Sequence, residues 1–278
     1  MKQFFQRTVL AAASLFAAGA QAGPFILAGT DADDHGFASA TANFDGWLFM
    51  QRALENLAVG VTNGNKTVYT LGSSSSALTA ANSAFGKSLL VGAGWNVVNL
   101  DGAAAINTFF GAGGGSGSAG IIMLDSGFNV TGGLDSLEEA ALTANAGAIN
   151  TFVGGGGGLF SQSNGYGWLS ALVPSLTVSS ASDQGLALTA AGMAAFPGLS
   201  NPDLSSGPYH SSFLGVGAIP VLATGINSFS SLNVIIGASG GGSIITPMPA
   251  IPEPSTYALM LAGLGMVGFL ARRRKAAA

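Results

Sequence analysis

The sequence predicts an α/β fold: a three-layer sandwich with a mainly parallel sheet, preceded by an N-terminal signal helix and followed by a C-terminal transmembrane helix. Three observations point there. Short apolar runs alternate with stretches of helical period, as in βαβ units, whose strands are buried on both faces. The chain carries 43 glycines, and turns between such elements absorb them with little strain. A faint internal repeat is also present: Ala105-Ile106-Asn107-Thr108-Phe109-Phe110-Gly111 recurs as Ala148-Ile149-Asn150-Thr151-Phe152-Val153-Gly154. Two copies are too few for a solenoid and fit two successive helix-to-strand units.

In chain order, residues 1–22 come first. Lys2 to Arg7 form a basic start, Val9 to Ala18 an apolar core, and Ala20-Gln21-Ala22 a small-x-small cleavage site, so Gly23 is expected to begin the mature chain. Residues 23–248 form the body. Strands are expected at Phe25–Gly29, Lys66–Leu71, Trp95–Leu100, Gly120–Leu124, Gly158–Phe160, Pro220–Thr224 and Asn233–Ile236. Trp47, Leu48, Gln51, Leu54 and Leu57 mark one helix. Leu137, Ala141, Ala144, Ala148 and Phe152 mark another, running from Leu134 to Phe152. The expectation is one sandwich of five to eight strands.

Residues 249–278 close the chain. Pro252-Glu253-Pro254 precedes a hydrophobic stretch at 257–270, and Arg272-Arg273-Arg274-Lys275 follow. The uncharged stretch from Ser255 to Leu270 is slightly short of the ~20 residues of a usual span. Basic residues after it would remain cytoplasmic, with the body outside. A plain tail anchor would share these features. The order of motif, helix and Arg-rich end resembles the PEP-CTERM sorting signal of Gram-negative bacteria. That resemblance implies recognition by an exosortase, a transient inner-membrane anchor, and delivery to the outer surface or an exopolysaccharide matrix such as a biofilm. The sorting residues it implies are Pro252, Glu253, Pro254, Arg272, Arg273 and Arg274.

Composition excludes several functions. Only 8% of residues are charged and none is cysteine, against about 25% charged in an ordinary soluble domain. Disulfides, thiolate zinc sites and thiol nucleophiles are therefore absent. Six of the nine basic residues lie in the two ends. Between them Arg52, Lys66 and Lys87 face twelve acidic residues, a net of −9. Such a body does not suit nucleic acid.

Candidate chemistry gathers where strands are expected to end, the usual ligand edge of a parallel sheet. Asp31 to Asp34, Ser73 to Ser76, Asp101, Asp125-Ser126 and Ser161 follow successive strands. Asp31, Asp33 and Asp34, with Asp45 as a closing ligand, are a candidate Ca²⁺ set, because hard cations take many oxygens around a sharp turn. The loop departs from an EF-hand, having His35 at position 5 and Ala42 at position 12. Helix capping and loop solvation explain the same residues without an ion, and no other cofactor is expected. Neither glycine run, 111–117 or 154–158, is followed by the Lys-Ser or Lys-Thr of a phosphate loop.

Residues Asn150 to Ser161 look like the helix, glycine turn and strand before the nucleophile of class I glutamine-amidotransferase-like and ThuA-like domains, and the likeness extends to Pro220–Gly242. The amidotransferase frame is G-x-C-x-G. Here Ser161 stands in place of the cysteine, and Leu159 and Ser163 in place of the glycines. The leading expectation is an exported, noncatalytic body that binds polysaccharide or Ca²⁺. Its rival is a secreted hydrolase with Ser161 as nucleophile and His210 as base.

Overall fold

A computed structural model describes residues 23–162, 165–226 and 231–239. The first half runs β1 (Phe25–Ala28), β2 (Gly36–Ala38), β3 (Asn43–Asp45), α1 (Gly46–Gly60), β4 (Thr67–Leu71), α2 (Ser75–Gly86), α3 (Leu89–Gly92) and β5 (Asn96–Leu100). Next come α4 (Ala103–Phe110), β6 (Ile121–Leu124), α5 (Ser136–Ala144), α6 (Ala146–Gly154), β7 (Gly158–Ser161) and α7 (Leu169–Leu172). The remainder comprises β8 (Thr177–Asp183), β9 (Leu186–Leu188), α8 (Ala190–Ala195), α9 (Asn201–Leu204), β10 (Tyr209–Leu214), β11 (Val221–Ile226) and β12 (Ser231–Ala238).

The fold is mixed α/β around an eight-stranded sheet in the order β5-β4-β6-β7-β1-β12-β11-β9. The first five of these strands are mutually parallel. The last three are joined antiparallel, β12 lying against β1. Two small sheets, β8–β10 and β2–β3, stand beside it. Strand β1 is central and buried along its length. Its alternate residues feed two separate cores: Ile26 and Ala28 join α1 and α2, while Phe25 and Leu27 join α4, α5 and α6. Burial on both faces explains why this strand reads as an unbroken apolar run.

Local sequence accounts for the helices. In α1, Phe49, Met50, Ala53, Leu54 and Leu57 are fully buried at helical spacing. The repeat copies fall on α4 and α6, each of which leads into the next parallel strand. Ile106 and Ile149, like Phe109 and Phe152, occupy matching buried positions. Helix α5 begins with a capping box in which the Asp135 carboxylate accepts from the Leu137 and Glu138 N–H groups, and Glu138 answers to the Asp135 N–H.

The structure corrects several expectations. The single helix from Leu134 to Phe152 is two helices, broken at Asn145, whose side-chain amide donates to the Ala141 carbonyl at 2.8 Å. Leu137, expected on its apolar face, is 69% exposed, and Leu142 is buried instead. The expected mainly parallel sheet is present, and β12, β11 and β9 extend it on one side with antiparallel pairs. Among the described residues no helix is long and apolar enough to cross a membrane. The signal segment at 1–22 and the hydrophobic stretch at 257–270 lie outside the described residues.

Candidate functional site

The five parallel strands adopt a doubly wound order in which the strand that would come last is supplied by the start of the chain, as β1. The chain leaves β4 toward α2 on one face of the sheet and leaves β6 toward α5 on the other. The carboxyl ends of β4 and β6 therefore flank a switch point, where ligands usually bind in such sheets. Here the crevice is closed by the protein's own groups. The loop after β6 lays the Thr131 and Gly132 carbonyls over the start of α2, where they accept from the backbone N–H groups of Ser74, Ser76 and Ala77. Those are the donors an anion would otherwise use. Ser75 in this junction has φ 47°, a conformation rare outside glycine.

Two buried carboxylates lie beneath that loop. Asp125 accepts from the Ser73 hydroxyl at 2.7 Å and from the N–H groups of Gly127 and Leu134 at 2.9 and 2.8 Å. Asp33 accepts from the Ser126 hydroxyl at 2.6 Å and its N–H at 2.8 Å, tying the loop after β1 to the loop after β6. Burial pushes Asp125 up to about 6 against the pull of its hydrogen bonds. Burial, with repulsion from Asp125, pushes Asp33 up to about 7. A carboxylate in a low-dielectric site favours its neutral form.

A second cluster sits at the end of β1. Asp34 N–H donates to the Asp31 carbonyl, forming a tight turn that returns His35 toward Asp31. His35 Nε2 lies 3.2 Å from Asp31 Oδ2 and 3.7 Å from Asp34 Oδ2. His210 arrives from β10, held because its N–H donates to the Gly29 carbonyl at 2.7 Å, and its Nε2 is 3.0 Å from the same Asp31 Oδ2. Among the described residues, Asp31 Oδ1, Thr30 Oγ1 and both polar atoms of the Gln162 amide are buried without a hydrogen-bond partner. Buried polar groups normally find one. All of these orphaned groups lie at the carboxyl ends of the neighbouring strands β1 and β7.

The expected site residues meet different fates. Asp31 and Asp34 converge, but with His35 and not with the other carboxylates proposed for Ca²⁺. Asp33 turns inward to Ser126. Asp45 immediately precedes α1 at φ 56° and is not among the acidic and histidine groups that cluster within 4.8 Å. The Ca²⁺ set of four carboxylates is therefore not assembled. Ser161 ends β7 fully buried, inside the strand and not on an exposed turn after it. Its hydroxyl donates to the Gln162 carbonyl at 3.3 Å and lies beside the Tyr166 hydroxyl. Among the described residues no hydrogen bond joins Ser161 to His210, whose ring is engaged with Asp31. The Asp31-x-x-x-His35 spacing carried a signal for the His35 contact. Nothing local pointed to His210 as its partner.

The fold and its polar strand ends define a mixed α/β body with a mostly parallel sheet. What places the chain further is its end: residues 250–275 match the PEP-CTERM protein-sorting motif, so Pro252, Glu253, Pro254 and the arginines at 272–274 lie within a sorting signal. The motif implies an exported protein processed by an exosortase, with a membrane-associated sorting step in Gram-negative bacteria. No curated protein and no solved structure matches the chain.

Proposed function

We propose that this chain enters the Sec pathway, is held briefly in the inner membrane by residues 257–270, and is cut by an exosortase for display on the outer surface or in an exopolysaccharide matrix. Its α/β body acts there as a noncatalytic binding or structural module. The observation that carries this reading is the PEP-CTERM match at residues 250–275. The body's chemistry is consistent with it, since Ser161 is buried and the switch-point crevice is filled by Thr131 and Gly132. An exposed face also suits a saccharide. On the β2–β3 hairpin Phe37 and Phe44 stack with ring centroids 4.9 Å apart, 55% and 39% exposed.

The test is fractionation of a Gram-negative host that carries an exosortase. Replacing Pro252, Glu253 and Pro254 by alanine should strand uncut precursor in the inner membrane. Normal surface display of that variant would overturn the proposal.

A further inference from the structure

The cluster at the end of β1 has the donor set of a transition-metal site. Asp31, Asp34 and His35 offer donor atoms that all lie within 4.8 Å of one another, and His210 adds a second imidazole that reaches the same Asp31 oxygen. A tetrahedral ion with ligands at about 2.0–2.1 Å keeps its donor atoms about 3.3 Å apart. Asp31 Oδ2 is 3.0 Å from His210 Nε2 and 3.2 Å from His35 Nε2, and His35 Nε2 is 3.7 Å from Asp34 Oδ2.

A second observation stands apart from the cluster itself. Hydrogen bonding alone uses the Asp31 carboxylate poorly: two imidazoles are aimed at one oxygen, while the other, in a residue only 3% exposed, has no partner. Thr30 Oγ1 beside it is equally bare. Thr30, Asp31 and His35, with Gly46, Ser206 and Gly207, line a cavity of about 10 Å³, whose lining does not include Asp34 or His210. That is room for a single water or ion. The backbone of the loop that carries Asp31, Asp34 and His35 is also braced. The His35 carbonyl accepts from the Gly46 N–H at 3.0 Å and from the Ser206 hydroxyl at 2.9 Å, and the Asp33 carbonyl accepts from the Trp47 indole at 2.9 Å.

We infer that Asp31, Asp34, His35 and His210 bind one divalent transition-metal ion, of which Zn²⁺ is the fitting example. Imidazole donors favour Zn²⁺ over Ca²⁺ or Mg²⁺, which prefer shells of oxygen alone. The ion would clamp the loop after β1 to β10, two segments some 175 residues apart in sequence, and so fasten the β8–β10 arm to the main sheet. The inference is independent of the sorting pathway and of any polysaccharide.

The test uses the full chain without a histidine tag, stripped with chelator and titrated with ZnCl₂ by calorimetry. CoCl₂ serves as a spectroscopic probe of four-coordinate geometry, and CaCl₂ as a competitor. One Zn²⁺ per chain is expected, with a rise in Tm of several degrees, a tetrahedral Co²⁺ spectrum and no displacement by equimolar Ca²⁺. His210→Gln should weaken Zn²⁺ binding about 100-fold or more, beyond the ~10-fold lower limit for outer-shell losses. If that variant fails to fold by circular dichroism, His35→Gln makes the same test at the first loop. Absence of stoichiometric Zn²⁺ binding, or binding unchanged in a folded His210→Gln or His35→Gln protein, would overturn the inference. So would displacement of Zn²⁺ by equimolar Ca²⁺.

Discussion

Asp125 shows how a buried acid contributes to a pH dependence, here alongside Asp33. Its carboxyl lies under the loop after β6, and burial holds it at about 6 when folded against 3.8 for an unperturbed aspartate. Between these values the folded state binds more protons than the unfolded one, so stability falls as pH rises. The stabilisation from the protonated acid is complete below about pH 4 and is lost by the time the pH passes about 6. Asn in its place can still accept from the Gly127 and Leu134 N–H groups and can donate to the Ser73 hydroxyl. In metal-free buffer, Asp125→Asn should lessen the fall in Tm between pH 4 and 6, the remaining slope coming from Asp33, and leave the variant at least as stable as the parent at pH 7. A pH profile as steep as the parent's would show that this acid does not govern the slope.

At the scale of elements, the junction of β1 with β10 holds the candidate ion site together. Gly29 is essential there because a Cβ would run into the Ser211 carbonyl, while its own carbonyl accepts from the N–H groups of both His210 and Ser211. Gly29→Ala should destabilise the protein by about 1–3 kcal/mol, the usual range for overpacking, in chemical denaturation. It should also weaken Zn²⁺ binding by moving His210 away from Asp31. A variant of parental stability would mean that β10 does not pack on β1 as described. The same junction shows where sequence reading succeeds and fails. Parallel strands such as β1 and β6 were legible because burial on both faces makes them apolar throughout, as in Ile121–Leu124. Strand β8 was not: its sequence, Thr177-Val178-Ser179-Ser180-Ala181-Ser182-Asp183, is mostly exposed and, among the described residues, pairs only with β10. The break at Asn145 was hidden because small alanines on both sides sustain a helical period.

For the whole molecule, composition and topology speak to different questions. Six of nine basic residues belong to the chain's ends, and the sorting motif occupies one of those ends, so the charge distribution reflects delivery more than the chemistry of the body. The candidate site was half legible. The density of polar groups from Thr30 to His35 marked the loop, yet it suggested four carboxylates because Asp33 and Asp45 lie so close in sequence. Folding turns Asp33 inward to Ser126 and brings in His210 from the far side of the chain. Neither event leaves a local pattern.

The central claim is that exosortase processing delivers this protein to the outside. The most direct measurement is the intact mass of the protein recovered from the surface or medium of an exosortase-bearing Gram-negative host. Delivery by this route predicts a chain that starts at Gly23 and lacks Arg272 to Lys275. A surface protein that retains those four basic residues would contradict it.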